Sequence, residues 1–132
     1  MEKSIIEKYL KIYPNIDEEL IRIESEIKFL DERKMLYLSD KTPQWYRDSM
    51  METVNASYEQ WQYDLNELKE AVQKICKALP KMNCIQKKVI ELRFWNGKEA
   101  PTKWCEVAQK LTFHEKSIER IYKKIINTVL AS

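Results

Sequence analysis

The run from Ile85 to Leu130, IQKKVIELRFWNGKEAPTKWCEVAQKLTFHEKSIERIYKKIINTVL, leaves this chain few ways to fold. Its apolar residues recur every three or four positions, and the pattern breaks only around Asn96–Pro101 and Thr112–His114. That spacing predicts three helices, the last two joined by a tight turn. The first is expected over 83–95, with Ile85, Val89, Ile90, Leu92, Phe94 and Trp95 inward and Lys87, Lys88, Glu91 and Arg93 outside. Asn96-Gly97 would end it, glycine suiting the left-handed conformation of a helix terminus. Thr102 is placed to N-cap a second helix, 103–111, because its hydroxyl can accept from a first-turn amide. That helix would bury Trp104, Val107, Ala108 and Leu111. Phe113 is expected to turn inward, and a third helix, 115–130, to bury Ile118, Ile121, Ile125 and Leu130. Such a pair of helices is the frame of a helix-turn-helix unit, whose second helix enters the DNA major groove. One residue departs from the pattern: the turn position usually held by glycine is Thr112, and a β-branched residue disfavours positive φ.

The outward residues of the last helix are His114, Glu115, Lys116, Ser117, Glu119, Arg120, Lys123 and Lys124. Lys116 and Arg120 have the donors that suit guanine O6 and N7, and Glu119 could accept from cytosine N4. Ser117 can bond a base or a phosphate. Thr102, Lys103, Lys123 and Lys124 suit phosphates, which fix register without reading sequence. His114 is first a turn residue, with an N-cap or phosphate role open to it. The competing interpretation is a basic amphipathic helix that only closes a bundle. Pattern, charge and position together favour DNA.

Charge is unevenly divided. Residues 1–80 hold 12 Lys/Arg and 16 Asp/Glu, and residues 81–132 hold 11 and 5, within a net charge of +2. A basic part suits a polyanion, and an acidic part suits protein. The expected organisation is all-α: residues 1–80 as a helical hairpin or coiled-coil oligomerisation region, residues 81–132 as the DNA-binding domain. Ile5, Ile6, Tyr9, Leu10 and Tyr13 predict a helix over 2–13, interrupted at Pro14. Ile16, Leu20, Ile23, Ile27 and Leu30 predict a second helix over about 17–38, with Asp17, Glu18 and Glu19 in the first turn, where the helix dipole favours acids. Residues 39–55, with Ser39, Asp40, Thr42 and Pro43, read as a connection containing some helix. Tyr58, Trp61, Leu65, Leu68, Val72, Ile75 and Leu79 then form an a/d heptad on a helix over 56–79 that Pro80 closes. The two seams could pair as an antiparallel hairpin or one could pair with a second copy of the chain; bulky Trp61 leans toward a bundle.

Cys76, Cys84 and Cys105 form no CxxC pair and read as reduced thiols. With His114 they match no common zinc spacing. No apolar stretch reaches membrane-spanning length, and the first residues lack the features of a signal peptide, so a cytoplasmic protein with no membrane partner is expected. No glycine-rich phosphate loop, HExxH or GxSxG is present, so neither an enzyme nor a cofactor is expected.

Two stretches carry a family resemblance. One is Tyr13-Pro14-Asn15 with Glu24-Ser25-Glu26-Ile27 on the following helix. The other is Gln86 to Leu130, including VIELRFWNGK, WCEVAQKL and SIERIYKKI. The chain resembles phage late-transcription activators of the RinA/ArpU type, whose C-terminal unit is similar to the helix-turn-helix of sigma factor region 4. The resemblance covers roughly half of the chain. It implies a phage or prophage DNA-binding activator of late genes in a bacterial host cell, with promoter or operator DNA as partner and self-association, a homodimer being the simplest form. By position, Glu115, Lys116, Glu119 and Arg120 would read bases. Sigma-like units usually carry Ser or Thr where this chain has His114. Two alternatives stand beside this expectation: a small terminase-like packaging protein, in which the DNA-binding part usually comes first, and an adaptor that binds host RNA polymerase, for which Trp45-Tyr46 offers aromatic surface.

Overall fold

Among the described residues five breaks divide the helices, and four of them carry a proline. Pro14, Pro43, Pro80 and Pro101 all lie outside helix interiors, as a residue without a backbone N–H must. The fifth break has neither proline nor glycine and turns at Thr112. A computed structural model describes residues 1–39, 43–97 and 99–132. Among these residues there is no strand. Helix α1 spans Lys3–Ile12, α2 Ile16–Ser39, α3 Gln44–Ala78, α4 Cys84–Arg93, α5 Trp104–Leu111 and α6 Glu115–Leu130. Short 3-10 turns, Tyr13–Asn15 and Leu79–Lys81, hold Pro14 and Pro80. The all-α expectation holds. Asp40 and Thr42 of the expected loop, and Lys98 of the C-terminal run, lie outside the described residues.

The segment 44–55 is helix rather than connection, and α3 begins at Gln44. Its apolar periodicity is weak, but nothing in it breaks a helix. Gln44 donates to Asp48 at 2.8 Å, an i,i+4 bond that closes the first turn. Thr53 returns its hydroxyl to the Ser49 carbonyl at 3.2 Å. Periodicity registers only a face that is buried, so a largely exposed helical turn escapes it.

The chain divides into two compact units, one made of Met1–Pro14 with Glu70–Ser132 and the other of Asn15–Lys69. The expected boundary at 80/81 differs, because contacts group α1 and the last turns of α3 with α4–α6. The charge split follows the structural units more sharply. The first unit has 16 Lys/Arg against 8 Asp/Glu, the second 7 against 13.

Within Asn15–Lys69, Ile23, Val54, Leu65 and Leu68 are buried, while Leu20, Ile27, Leu30, Tyr58 and Trp61 are half-buried. The Arg22 guanidinium of α2 lies 5.4 Å from the Trp61 ring centroid of α3. Its hydrogen bond to Glu19 raises its pKa, burial opposes this, and the charges of Glu19, Glu26 and Asp64 add to the rise. Beyond Leu68 the buried stripe leaves the expected heptad: Ala71, Ile75 and Ala78 are fully buried and Val72 and Leu79 only half. From Glu70 onward α3 belongs to the other compact unit, so its buried face is set there by different neighbours.

In the other unit α6 packs against α1, α4 and α5, and α4 against α5. Ile6, Leu10, Ile75, Val89, Ile90, Val107, Ile118, Ile125 and Val129 are its largest fully enclosed side chains. Asn83 and Gln86 form a reciprocal capping box that starts α4. Trp95 donates its indole N–H to the Leu10 carbonyl at 2.7 Å and stacks on Tyr13, ring centroids 5.8 Å apart, which fixes the end of α1 to the end of α4.

Thr112 has φ 58° and ψ 36°, the left-handed conformation of a helix C-terminus. The Phe113 amide donates to Ala108 and the Thr112 amide to Gln109, at 3.0 and 3.2 Å, the pair of bonds of a Schellman motif. The turn therefore keeps its ordinary geometry and holds the strain in one residue. A left-handed non-glycine residue costs about 1–2 kcal/mol, and glycine's extra freedom when unfolded returns about 0.5–1 kcal/mol of that. Thr112→Gly is thus expected to stabilise the protein by about 0.5–1 kcal/mol, measured as a higher urea midpoint at unchanged slope. A lower midpoint would contradict this account of the turn.

Candidate nucleic-acid interface

The apolar positions of α6 decide which of its charges face solvent. Ile118, Tyr122, Ile125, Ile126 and Val129 are buried, a wider stripe than the expected Ile118, Ile121, Ile125 and Leu130. Ile121 and Leu130 are only half-buried. The stripe widens because α6 meets α1 as well as α4 and α5, and the sequence pattern gave no sign that α1 would pack there. On a 3.6-residue helix the side opposite this stripe carries Lys116, Arg120 and Lys124, all exposed. Lys123 lies beside them, toward the α1 flank, and Glu115 and Glu119 lie on that flank. Ser117 is half-buried on the other flank. Of the residues expected to read bases, Lys116 and Arg120 share the open face, whereas Glu119 turns toward a groove beside α1 that Lys3, Tyr122 and Lys123 also line.

His114 occupies the N-cap of α6 and is exposed, but its side chain makes no capping bond. Its carbonyl accepts from Ile118 at 3.1 Å. Lys103 is exposed at the N-cap of α5, also without a side-chain capping bond.

Thr102 departs from its expected role. It is 6% exposed and precedes the N-cap. Its hydroxyl accepts from the Asn96 amide, its carbonyl accepts from Arg93, and its amide donates to the Arg93 carbonyl. A hydroxyl held in this way locks α4 to α5 and is withdrawn from any phosphate. Arg93, expected outside, is half-buried, with its guanidinium 4.2 Å from the Trp104 ring centroid. Phe113, expected in the core, is 40% exposed at the turn. The Schellman bonds fix the backbone there, and the core below is already filled by Val107, Ala108 and Ile118.

Two residues near the interface carry no signal in the sequence. Tyr122 is buried, with its ring 4.6 Å from that of Trp104 between centroids. Lys3, far away in sequence, lies with its ammonium 5.5 Å from the Tyr122 ring centroid. Only the packing of α1 on α6 brings the two together.

Among the described residues no group of three or more His, Cys, Asp and Glu could hold a metal ion, and Cys76, Cys84 and Cys105 are separate, exposed thiols. Among the described residues, no helix is long and apolar enough to cross a membrane. No protein-family model, curated protein or solved structure matches this chain.

The Tyr122 hydroxyl is buried and makes no hydrogen bond of good geometry. Burial first, and then the Glu7 carboxylate facing it, raises its pKa well above the ordinary 10.0, with Arg93 pulling weakly the other way. The Tyr13 pKa is raised too, by burial and by Cys76. A raised phenol pKa means that the fold favours the neutral form. The stabilisation is complete below the unfolded value, near pH 10, and is lost as pH climbs above it. Tyr122→Phe should leave stability at pH 7 little changed, since no good hydrogen bond is lost. It should also shrink the fall in urea midpoint between pH 9 and pH 11. An alkaline fall as large as in the parent protein would show that Tyr122 is not its source.

Proposed function

We propose that this protein is a sequence-specific double-stranded DNA-binding regulator, with α5 and α6 as a helix-turn-helix similar to that of sigma factor region 4 and α6 as its reading helix. The observation that carries this reading is the open face of α6. Lys116, Arg120 and Lys124 project from it with Lys123 at its edge, directly after a tight left-handed turn, on a unit with twice as many basic as acidic residues. Guanine edges suit Lys116 and Arg120, and phosphates suit Lys103, Lys123, Lys124 and the exposed His114. Ser117, Glu115 and Glu119 flank the reading face, where their contacts would depend on the approach angle of the helix.

The narrower proposal, an activator of phage or prophage late genes acting in the bacterial cytoplasm, rests on the sequence resemblance. The acidic unit Asn15–Lys69 would be its protein-facing part, as an antiparallel hairpin that pairs with a second copy or with RNA polymerase. The Arg22–Trp61 contact supports the antiparallel arrangement, since the two residues lie nearly equally far along the chain from residues 40–42. Its exposed Phe29, Met35, Leu36, Leu38 and Trp45 supply apolar surface for a protein partner.

Selection of a binding site from random duplexes, followed by titrations across salt concentrations, tests the reading. Arg120→Ala should weaken binding to the selected site by about 1–3 kcal/mol and relax preference at one base. Lys124→Ala should weaken binding to all sequences alike and lower the salt slope by about one. Undiminished DNA affinity in the Lys116→Glu, Arg120→Glu double variant would rule out α6 as the reading helix.

A further inference from the structure

The groove beside α6 has the features of a small-molecule site. It encloses about 380 Å3 and is lined by Lys3 of α1, Trp104 of α5 and, on α6, Glu119, Tyr122, Lys123, Ile126, Asn127 and Leu130. That volume falls in the range of ligand pockets, about 300–1,000 Å3. All of its lining belongs to one compact unit, so the groove is a property of that unit's own packing.

Its chemistry is two-sided. The tilted Trp104–Tyr122 pair, with Ile126 and Leu130, gives an aromatic and aliphatic wall. Lys3, Lys123 and the Asn127 amide supply donors, and of the lining residues only Glu119 carries a carboxylate, with Glu7 behind Lys3. Lys3 reaches Glu7 only at 3.8 Å, a long contact whose ammonium is mostly exposed, so the pair is weak and leaves Lys3 able to meet a ligand. Tyr122 is 7% exposed, with its hydroxyl enclosed and faced by the Glu7 carboxylate, so Tyr122 adds apolar surface to the groove. An apolar wall with a few convergent polar groups is the usual make-up of a ligand pocket.

We infer that this groove binds a small amphipathic anion, a carboxylate with an alkyl or aromatic body, its apolar part against Trp104, Tyr122, Ile126 and Leu130 and its carboxylate between Lys3 and Lys123. Two features exclude neighbouring classes of ligand. A cation would meet two ammonium groups, and a compact inorganic anion would leave the apolar wall uncovered. The site stands independently of the DNA-binding reading. If that reading holds, the ligand also touches Glu119 and Lys123 on the reading helix, so DNA and ligand would each alter the other's affinity by the same factor.

Decanoate is the probe, titrated into the full chain without DNA and followed by amide NMR shifts. Decanol and decyltrimethylammonium serve as controls. Saturable shifts are expected at Trp104, Tyr122, Ile126 and Asn127. Both controls should bind at least about tenfold more weakly than decanoate, the loss expected when one charge-assisted contact of about 1.4 kcal/mol is removed. The Lys3→Glu, Lys123→Glu double variant should lose decanoate affinity by at least the same factor while binding decanol as the parent does. The decanol arm shows that the groove remains folded. Equal affinity for decanoate and decanol, unchanged decanoate affinity in the double variant, or shifts centred on Phe29, Met35 and Trp45 would overturn the proposal. Failure of DNA binding would leave these outcomes untouched.

Discussion

The burial of α6 is the constraint on which the rest of the unit depends. It lies against α1, α4 and α5, and its five buried side chains form a broad stripe. Burying one side of a helix so completely fixes what the other side presents. The basic residues of α6 are excluded from that stripe, because an unpaired ammonium in an apolar core costs far more than an exposed one. The open cationic face therefore follows from core packing. The same packing carries Lys3 to Tyr122 and creates the groove between them.

Around that helix, polar contacts set the angles between elements. Thr102 joins α5 to α4 through Asn96 and Arg93. Trp95 joins α4 to the end of α1. Lys74, near the end of α3, donates to the Leu130 and Ser132 carbonyls at 3.2 and 3.1 Å, satisfying acceptors that a helix C-terminus leaves open. Each bond is modest alone, on the order of 1 kcal/mol. The Thr102 bonds join successive helices, while those of Trp95 and Lys74 span elements distant in sequence, so together they specify one arrangement of an apolar core that could otherwise slide.

Much of this was legible in the residues. The existence of the helices α1 to α6, the breaks at proline and the turn between α5 and α6 come from spacing and turn chemistry. The cationic side of α6 does as well, since period alone separates Lys116, Arg120 and Lys124 from Ile118, Ile125 and Val129. Three features were not legible. The helix over 44–55 buries little, so its residues show no period. Phe113 is apolar and sits between core positions, yet the left-handed backbone at Thr112 leaves it at the surface. Thr102 reads as a cap from its position, but its hydroxyl answers to Asn96, a contact that exists only once α4 and α5 have packed.

The sequence by itself determined the all-helical fold, the positions of its breaks and the polarity of its last helix, because these depend on neighbours within a few residues. Only tertiary structure decided that α1 and the end of α3 join the C-terminal helices, in a unit with 16 Lys/Arg against 8 Asp/Glu beside one with 7 against 13. Tertiary structure also removed Thr102 from the surface and turned Glu119 toward Lys3. These outcomes depend on which apolar stripes meet. A stripe records that a partner exists, while the identity of the partner is settled by the packing of the whole unit.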